Sequence, residues 1–257
     1  MLTVENLSVA YGAQTALCQV SFQLAPGEIL GVVGGSGSGK STLLRALSGL
    51  LERNARITSG RIIFQGRELT HCSEKQLNAL RGSAIGMIFQ NAAASFCPVR
   101  TIGDQVHETL AAHRFCTRAE SDEAAAALFA HLGLEEPQRI LASYPYHLSG
   151  GMSQRVAIAL AMLLQPALLL ADEPTSALDV LGQRQVLDEL ALLRQLCGAA
   201  IILVTHNIGQ CEQFADKVLV LRDGCVVEYG PTVQVLGAPQ SNETKELLAA
   251  VPRLRRR

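Results

Sequence analysis

Two kinds of apolar pattern alternate along this chain. Continuous apolar runs stand at 29–33, 85–89, 167–171 and 199–204, as in strands covered on both faces of a parallel sheet. Between them apolar residues recur three and four apart, and the spacing predicts helices over about 43–47, 74–81, 102–113, 119–132, 153–164 and 181–196. The two ends read otherwise. Residues 2–9 alternate in part and predict a strand, the turn at Tyr11-Gly12 leads to a second strand over 17–24, and Pro26-Gly27-Glu28 turns the chain into the run at 29. Residues 60–66 form a hairpin-like piece, and a strand over 217–221, an Asp223-Gly224 turn, a strand over 225–229 and a short helix after Pro231 close the pattern. Strands alternating with helices predict an α/β protein. The polar, alanine-rich middle third, about 91–165, differs from the flanks at 1–90 and 166–240 and predicts a helical lobe inserted into the α/β core, with 241–257 as a short tail.

Composition narrows the class. A chain of 257 residues suits one large domain or two lobes. With 22 basic and 23 acidic residues it carries no electrostatic footprint for nucleic acid. Cys18, Cys72, Cys97, Cys116, Cys197, Cys211 and Cys225 are odd in number and show no C-x-x-C spacing, which predicts reduced thiols in a reducing cytoplasm rather than a zinc or iron–sulfur site. The longest apolar candidate, 156–171, is broken by Gln165-Pro166 and falls short of the roughly 20 residues of a membrane span. Residues 1–5 lack a basic region ahead of an apolar core, so no secretion signal is expected.

Chemistry concentrates where the apolar runs end. Gly34-Gly35-Ser36-Gly37-Ser38-Gly39-Lys40-Ser41-Thr42 joins the run at 29–33 to a helix. Strand, glycine-rich turn and helix are what a phosphate loop requires: without side chains the main-chain N–H groups can wrap a polyphosphate, and the helix start adds its own N–H groups and the positive end of its dipole. In that setting Lys40 reaches the β- and γ-phosphates and the Ser41 hydroxyl ligates Mg²⁺. Ser149-Gly150-Gly151, at another helix start, offers a second anion-binding surface, or only a cap and a turn. Asp172 and Glu173 follow the run at 167–171, where an open α/β sheet binds its ligand; Asp172 suits Mg²⁺ held through water and Glu173 a general base, against the plainer reading of two solvated charges. His206, at the end of the run at 199–204, is either structural or a contact to the γ-phosphate. Tyr11 is either a stacking face for adenine or an aromatic plug. Arginines at 253 and 255–257 make the tail a solvated end or a weak contact for anionic lipid.

Taken together, these residues resemble the nucleotide-binding subunits of ABC transporters over nearly the whole chain, to about residue 240. Lys40 and Ser41 match the family's phosphate loop, Tyr11 its adenine-stacking aromatic, Gln90 the glutamine that bridges metal and helical lobe, and Leu148-Ser149-Gly150-Gly151-Met152 the signature motif, with Gln154 just inside it. Asp172 matches the metal-associated aspartate, Glu173 the catalytic carboxylate, Ser176-Ala177-Leu178-Asp179 the D-loop and His206 the switch histidine. The resemblance implies a P-loop NTPase core of ABC type with an antiparallel β subdomain and an inserted helical lobe. Residues 89–105 and Tyr144-Pro145-Tyr146-His147 are similar to the oligopeptide, dipeptide and nickel importer ATPases. Cys97, Ser153 and Asn207 depart from the usual Asn, Arg and Asp, and none removes a group needed for hydrolysis. The end soon after Asn242, without a cysteine-rich tail, leans towards nickel or metallophore cargo.

What the resemblance implies is an ATPase, with ATP and Mg²⁺ as cofactors, at the cytoplasmic face of the inner membrane. Two such chains, identical or paralogous, would sandwich ATP, with Lys40, Gln90, Glu173 and His206 of one facing Ser149 and Gly151 of the other. Motion would pass to a separate membrane permease, supplied by an extracytoplasmic solute-binding protein. A non-transport ABC ATPase in assembly or repair and a nucleotide-regulated binding module are the alternatives; repair members carry a long coiled coil after the phosphate loop, and no sustained heptads stand here.

Overall fold

In the computed structural model, which describes residues 1–176 and 178–251, the chain divides into two compact units. The first is Met1–Leu77 with the described residues from Ala200 onward, and the second is Asn78–Ala199. Ala177 of the expected D-loop and the tail arginines lie outside the described residues.

The first unit holds an antiparallel sheet built from β1 (Leu2–Tyr11), β2 (Gln14–Leu24), β4 (Ala55–Phe64) and β5 (Arg67–Glu68), in the order β2-β1-β4-β5. The partial alternation of 2–9 has a local cause. Leu2 and Val4 point into the core, the register shifts between Val4 and Leu7 around Asn6 at φ 49°, and beyond that bulge Leu7 and Val9 take the buried positions. β2 begins at Gln14 rather than 17 because Gln14 pairs with Tyr11 directly across the turn.

The same unit carries β3 (Ile29–Val33), β8 (Ala200–Val204), β9 (Lys217–Arg222) and β10 (Cys225–Pro231), with β3 lying parallel to both β8 and β9 and β10 antiparallel to β9. Every residue of β3 and β8 is buried. Three short helices cover this sheet: α8 (Ile208–Phe214), α9 (Thr232–Gly237) and α10 (Asn242–Ala249). Val33, Ile208, Cys211, Val218, Val220 and Val235 form their common core, against which Leu247 and Leu248 pack. α8 approaches β3 closely, because a Cβ added at Gly31 would stand 2.5 Å from the Cys211 sulfur.

In the second unit β6 (Ile85–Ile88) pairs in parallel with β7 (Leu168–Asp172). α2 (Glu74–Leu80) leads into this unit, and α3 (Ile102–Ala111), α4 (Arg118–His131) and α5 (Pro137–Ala142) pack on one another. Thr117 and Glu120 close a capping box at the start of α4. Arg118 donates to Asp104 of α3 at 2.7 Å and to Asp122 at 2.9 Å, and its hydrogen bond holds the Asp104 carboxyl below the usual range. α6 (Gly150–Met162) and α7 (Val180–Cys197) complete the unit. Glu189 of α7 is 7% exposed, with Arg155 of α6 3.2 Å away. Burial pushes its carboxyl up to about 7, with Asp188 adding to the rise and Arg155 and Gln185 opposing it.

Gly31→Ala is expected to destabilise the protein by about 1–3 kcal/mol, the usual cost of overpacking; Cys211→Ala in the same chain should recover part of the loss in thermal unfolding, and additive losses would refute the contact. Because the folded pKa of Glu189 lies above its unfolded value, its contribution is complete below about pH 4.5 and is lost as pH rises through about 7. Thermal midpoints taken from pH 5 to pH 8 should therefore fall less in Glu189→Gln than in the parent, a difference on the order of 2 kcal/mol.

Candidate functional site

β3 delivers its carboxyl end to the glycine-rich loop. Gly34 and Gly39 adopt φ of 155° and 101°, and their neighbours forbid a side chain: a Cβ at Gly34 would lie 2.2 Å from the Leu221 carbonyl oxygen, and at Gly39 2.8 Å from that of Ala16. At Gly37, by contrast, a Cβ would meet nothing within 4 Å. The loop thus has one face pressed onto the protein and one open. Gly35, Ser36 and Gly37 are exposed along it.

α1 (Lys40–Ser48) starts directly from Gly39, which supplies no side-chain cap to the N–H groups of its first turn. Lys40 is 7% exposed and its Nζ donates to the carbonyls of Gly34 and Gly35, each at 2.8 Å. Ser41 and Thr42 are half-buried beside it. Ser38 is buried, and its hydroxyl has no hydrogen-bond partner. A buried hydroxyl left in that state costs about 1–3 kcal/mol, which a phosphate oxygen would recover. The open face, the uncapped helix start and this hydroxyl fit a polyphosphate.

Within the same unit β8 runs beside β3, with Val32 opposite Val204, so the segment holding His206 leaves the sheet at the same edge as the loop. His206 is exposed. Thr205 holds the turn from both sides, accepting from the Asn207 N–H at 3.0 Å and donating to Gln210 at 2.9 Å. Asn207 caps α8 by accepting from the Gly209 N–H at 3.1 Å. An Asp would make the same cap, so this departure from the family pattern leaves the turn intact. Tyr11 ends β1 half-buried, opposite Gln14 and Ala55.

The second unit assembles its own polar edge. Ile88 of β6 stands opposite Ala171 of β7, so Gln90 and Glu173 both lie two residues past a paired position. They meet: Gln90 Nε2 donates to Glu173 Oε2 at 3.2 Å. Glu173 sits at φ 46°, a left-handed conformation uncommon outside glycine, and its carbonyl accepts from both the N–H and the hydroxyl of Ser176 at 3.1 Å. Asp172, the last residue of β7, is half-buried beside it.

Ser149 caps α6, accepting from the Met152 N–H at 3.3 Å, and is exposed. The helix begins at Gly150, earlier than its apolar periodicity indicates. A Cβ at Gly150 or Gly151 would meet nothing within 4 Å, so packing does not call for glycine at either. Asp179 caps α7 by accepting from the Gly182 N–H at 2.8 Å. A cavity of about 370 Å³, lined by Gly150, Gly151, Arg155, Asp179 and Gly182, joins the starts of the two helices. Gln154 is not part of that exposed surface; it is 7% exposed, with its Nε2 unpartnered inside the unit. Among the described residues no group of three or more His, Cys, Asp or Glu is placed to hold a metal ion, and no helix is long and apolar enough to cross a membrane.

Comparison with known proteins agrees with this geometry. The ABC transporter family matches residues 17–176. A peptidoglycan transport ATP-binding protein of Agrobacterium fabrum is 42% identical over 98% of this chain and 47% of its own length. An oligopeptide transport ATP-binding protein of Salmonella typhimurium is 42% identical over 99% of this chain and 77% of its own. The chain thus spans about half of the first relative and about three quarters of the second. Among solved structures, a dimeric ATP-binding cassette in a post-hydrolysis state with ADP and phosphate superposes with a TM-score of 0.79 at 29% identity, covering 90% of this chain and 99% of that one. This chain belongs to the ABC transporter family.

Proposed function

We propose that the chain hydrolyses Mg-ATP between two such subunits, identical or paralogous, to drive uptake of peptides through a separate membrane permease at the cytoplasmic face of the inner membrane. An extracytoplasmic solute-binding protein would present the cargo. The observation that carries this reading is the open, glycine-rich start of α6. Ser149, Gly150 and Gly151 form a phosphate-grade helix start in a chain that already possesses a full phosphate loop. A second such surface is superfluous for a subunit working alone and useful for one that completes its neighbour's nucleotide. Peptide cargo, rather than nickel, is the reading that the oligopeptide and peptidoglycan names of the relatives support.

The roles follow from the chemistry of each group. Tyr11 stacks on adenine, and the amides from Gly34 to Thr42 wrap the phosphates. Lys40 exchanges loop carbonyls for β- and γ-phosphate oxygens, a charge-assisted bond stronger than those it gives up. Ser41 in the first unit, and Gln90 and, through water, Asp172 in the second, are the groups that would hold Mg²⁺, which would supply neutralisation of charge on the phosphate oxygens. Glu173 accepts the proton of the attacking water, and the Gln90 amide fixes the carboxylate's direction. His206 hydrogen-bonds the γ-phosphate. Ser149 and Gly151 act on the partner's ATP, with Asp179 positioning the adjoining turn and Gln154 supporting α6 from within.

Glu173→Gln is expected to lower ATP turnover by about 10²–10⁴-fold while ATP still binds and draws subunits together; turnover at the parental rate would remove Glu173 from the role. Lys40→Ala should instead weaken ATP binding by roughly 10–100-fold, the worth of a hydrogen bond to a charged group, and undiminished affinity in a direct titration would count against the phosphate loop.

A further inference from the structure

Two of the thiols meet beneath the phosphate loop. Cys18 lies exposed on β2, and Cys225 opens β10 half-buried. The Cys18 N–H donates to the carbonyl of Gly224, the residue before Cys225, at 2.9 Å. The two main chains touch at that point: a Cβ at Gly224 would stand 2.6 Å from the Ala16 carbonyl oxygen and 3.3 Å from Leu17 Cα. Backbones bonded in this way carry the α-carbons of the paired residues, here Cys18 and Gly224, about 5.5 Å apart, and Cys225 is the next residue along β10. The side chains are near enough for the Cys18 thiol to influence that of Cys225. Burial above all, and then this contact and the charge of Asp223, push the Cys225 thiol up, so it stays protonated at neutral pH.

The turn that precedes Cys225 also supports the loop. Gly224 receives the Cys18 N–H on its carbonyl and donates its own N–H to the Ser38 carbonyl at 3.1 Å. One residue therefore links β2 to the element that wraps the phosphates.

We propose that Cys18 and Cys225 form an oxidisable dithiol whose disulfide ties β2 to the Asp223-Gly224 turn and weakens nucleotide binding. The bond stands apart from the ATPase reading; its effect on nucleotide rests on that reading. Hydrogen peroxide is the oxidant. The more exposed Cys18 sulfur attacks one peroxide oxygen, the O–O bond breaks, and Cys18 becomes a sulfenic acid with release of one water. The Cys225 sulfur then attacks the Cys18 sulfur; the S–S bond forms, the S–O bond breaks, and hydroxide leaves with the Cys225 proton as a second water. Two thiols lose two electrons and one peroxide becomes two waters. Closing the sulfurs to a bond of about 2.05 Å pulls on Gly224, and through its bond to the Ser38 carbonyl on the loop. Disulfides of exposed pairs are labile, so an added thiol reverses the step.

The test treats the full-length chain with hydrogen peroxide and divides it between peptide mapping and ATP titration. A peptide pair joined through Cys18 and Cys225 is expected, lost with dithiothreitol and absent from Cys18→Ser and Cys225→Ser. The oxidised parent should bind ATP more weakly by on the order of fivefold, the low end of couplings between sites, with recovery on reduction and no such change in Cys18→Ser. Failure to find the joined peptide overturns the dithiol. A joined peptide with unaltered ATP affinity, or an equal loss in Cys18→Ser, overturns its link to the loop. ATP binding by the reduced chain judges the nucleotide reading separately, since the mapping result does not depend on it.

Discussion

The Leu221 carbonyl leaves no room for a side chain at Gly34, and much of the nucleotide end of the first unit follows from that contact. Because the backbone of β9 presses against the exit of β3, the chain must turn there as glycine. The turn sets Gly37 on the open side and starts α1 without a cap. Lys40 can then fold back onto the carbonyls of the loop it terminates. The loop's shape is held by protein contacts at Gly34 and Gly39, with its Gly37 side left open.

The second unit solves a similar problem with different means. Its polar edge comes from register, since two parallel strands that end level place Gln90 beside Glu173 without any long-range loop. Its open surface comes from what is missing, a helix start whose first two residues carry no side chains and whose glycine positions would meet nothing if they did.

Much of this was legible in the amino-acid order because it is locally determined. Strands buried on both faces read as unbroken apolar runs, and the phosphate loop, the Asp172-Glu173 pair and the Ser149 cap each depend on neighbours a few residues away. What escaped depends on distant partners or on too few residues. α5, α8 and α10 span 6, 7 and 8 residues, too short for a helical period to declare itself. The bulge at Asn6 swaps which parity of β1 is buried, which blurs alternation. Gln154 looks like part of an exposed motif and is buried because α6 turns it inward. Nothing in cysteine spacing brings Cys18 to Cys225; only the β9–β10 hairpin, folded back against β2, does so.

The left-handed backbone at Glu173 has a further meaning. Such a conformation in a residue other than glycine or asparagine typically costs about 1–3 kcal/mol, and here Ser176 restrains it with two hydrogen bonds to the same carbonyl. A chain optimised for robustness alone would carry asparagine or glycine at this site and relax. The carboxylate to which the proposed function gives the general-base role is thus kept in tension with the fold, and on that proposal the easiest route to a tougher protein at this position passes through an inert one.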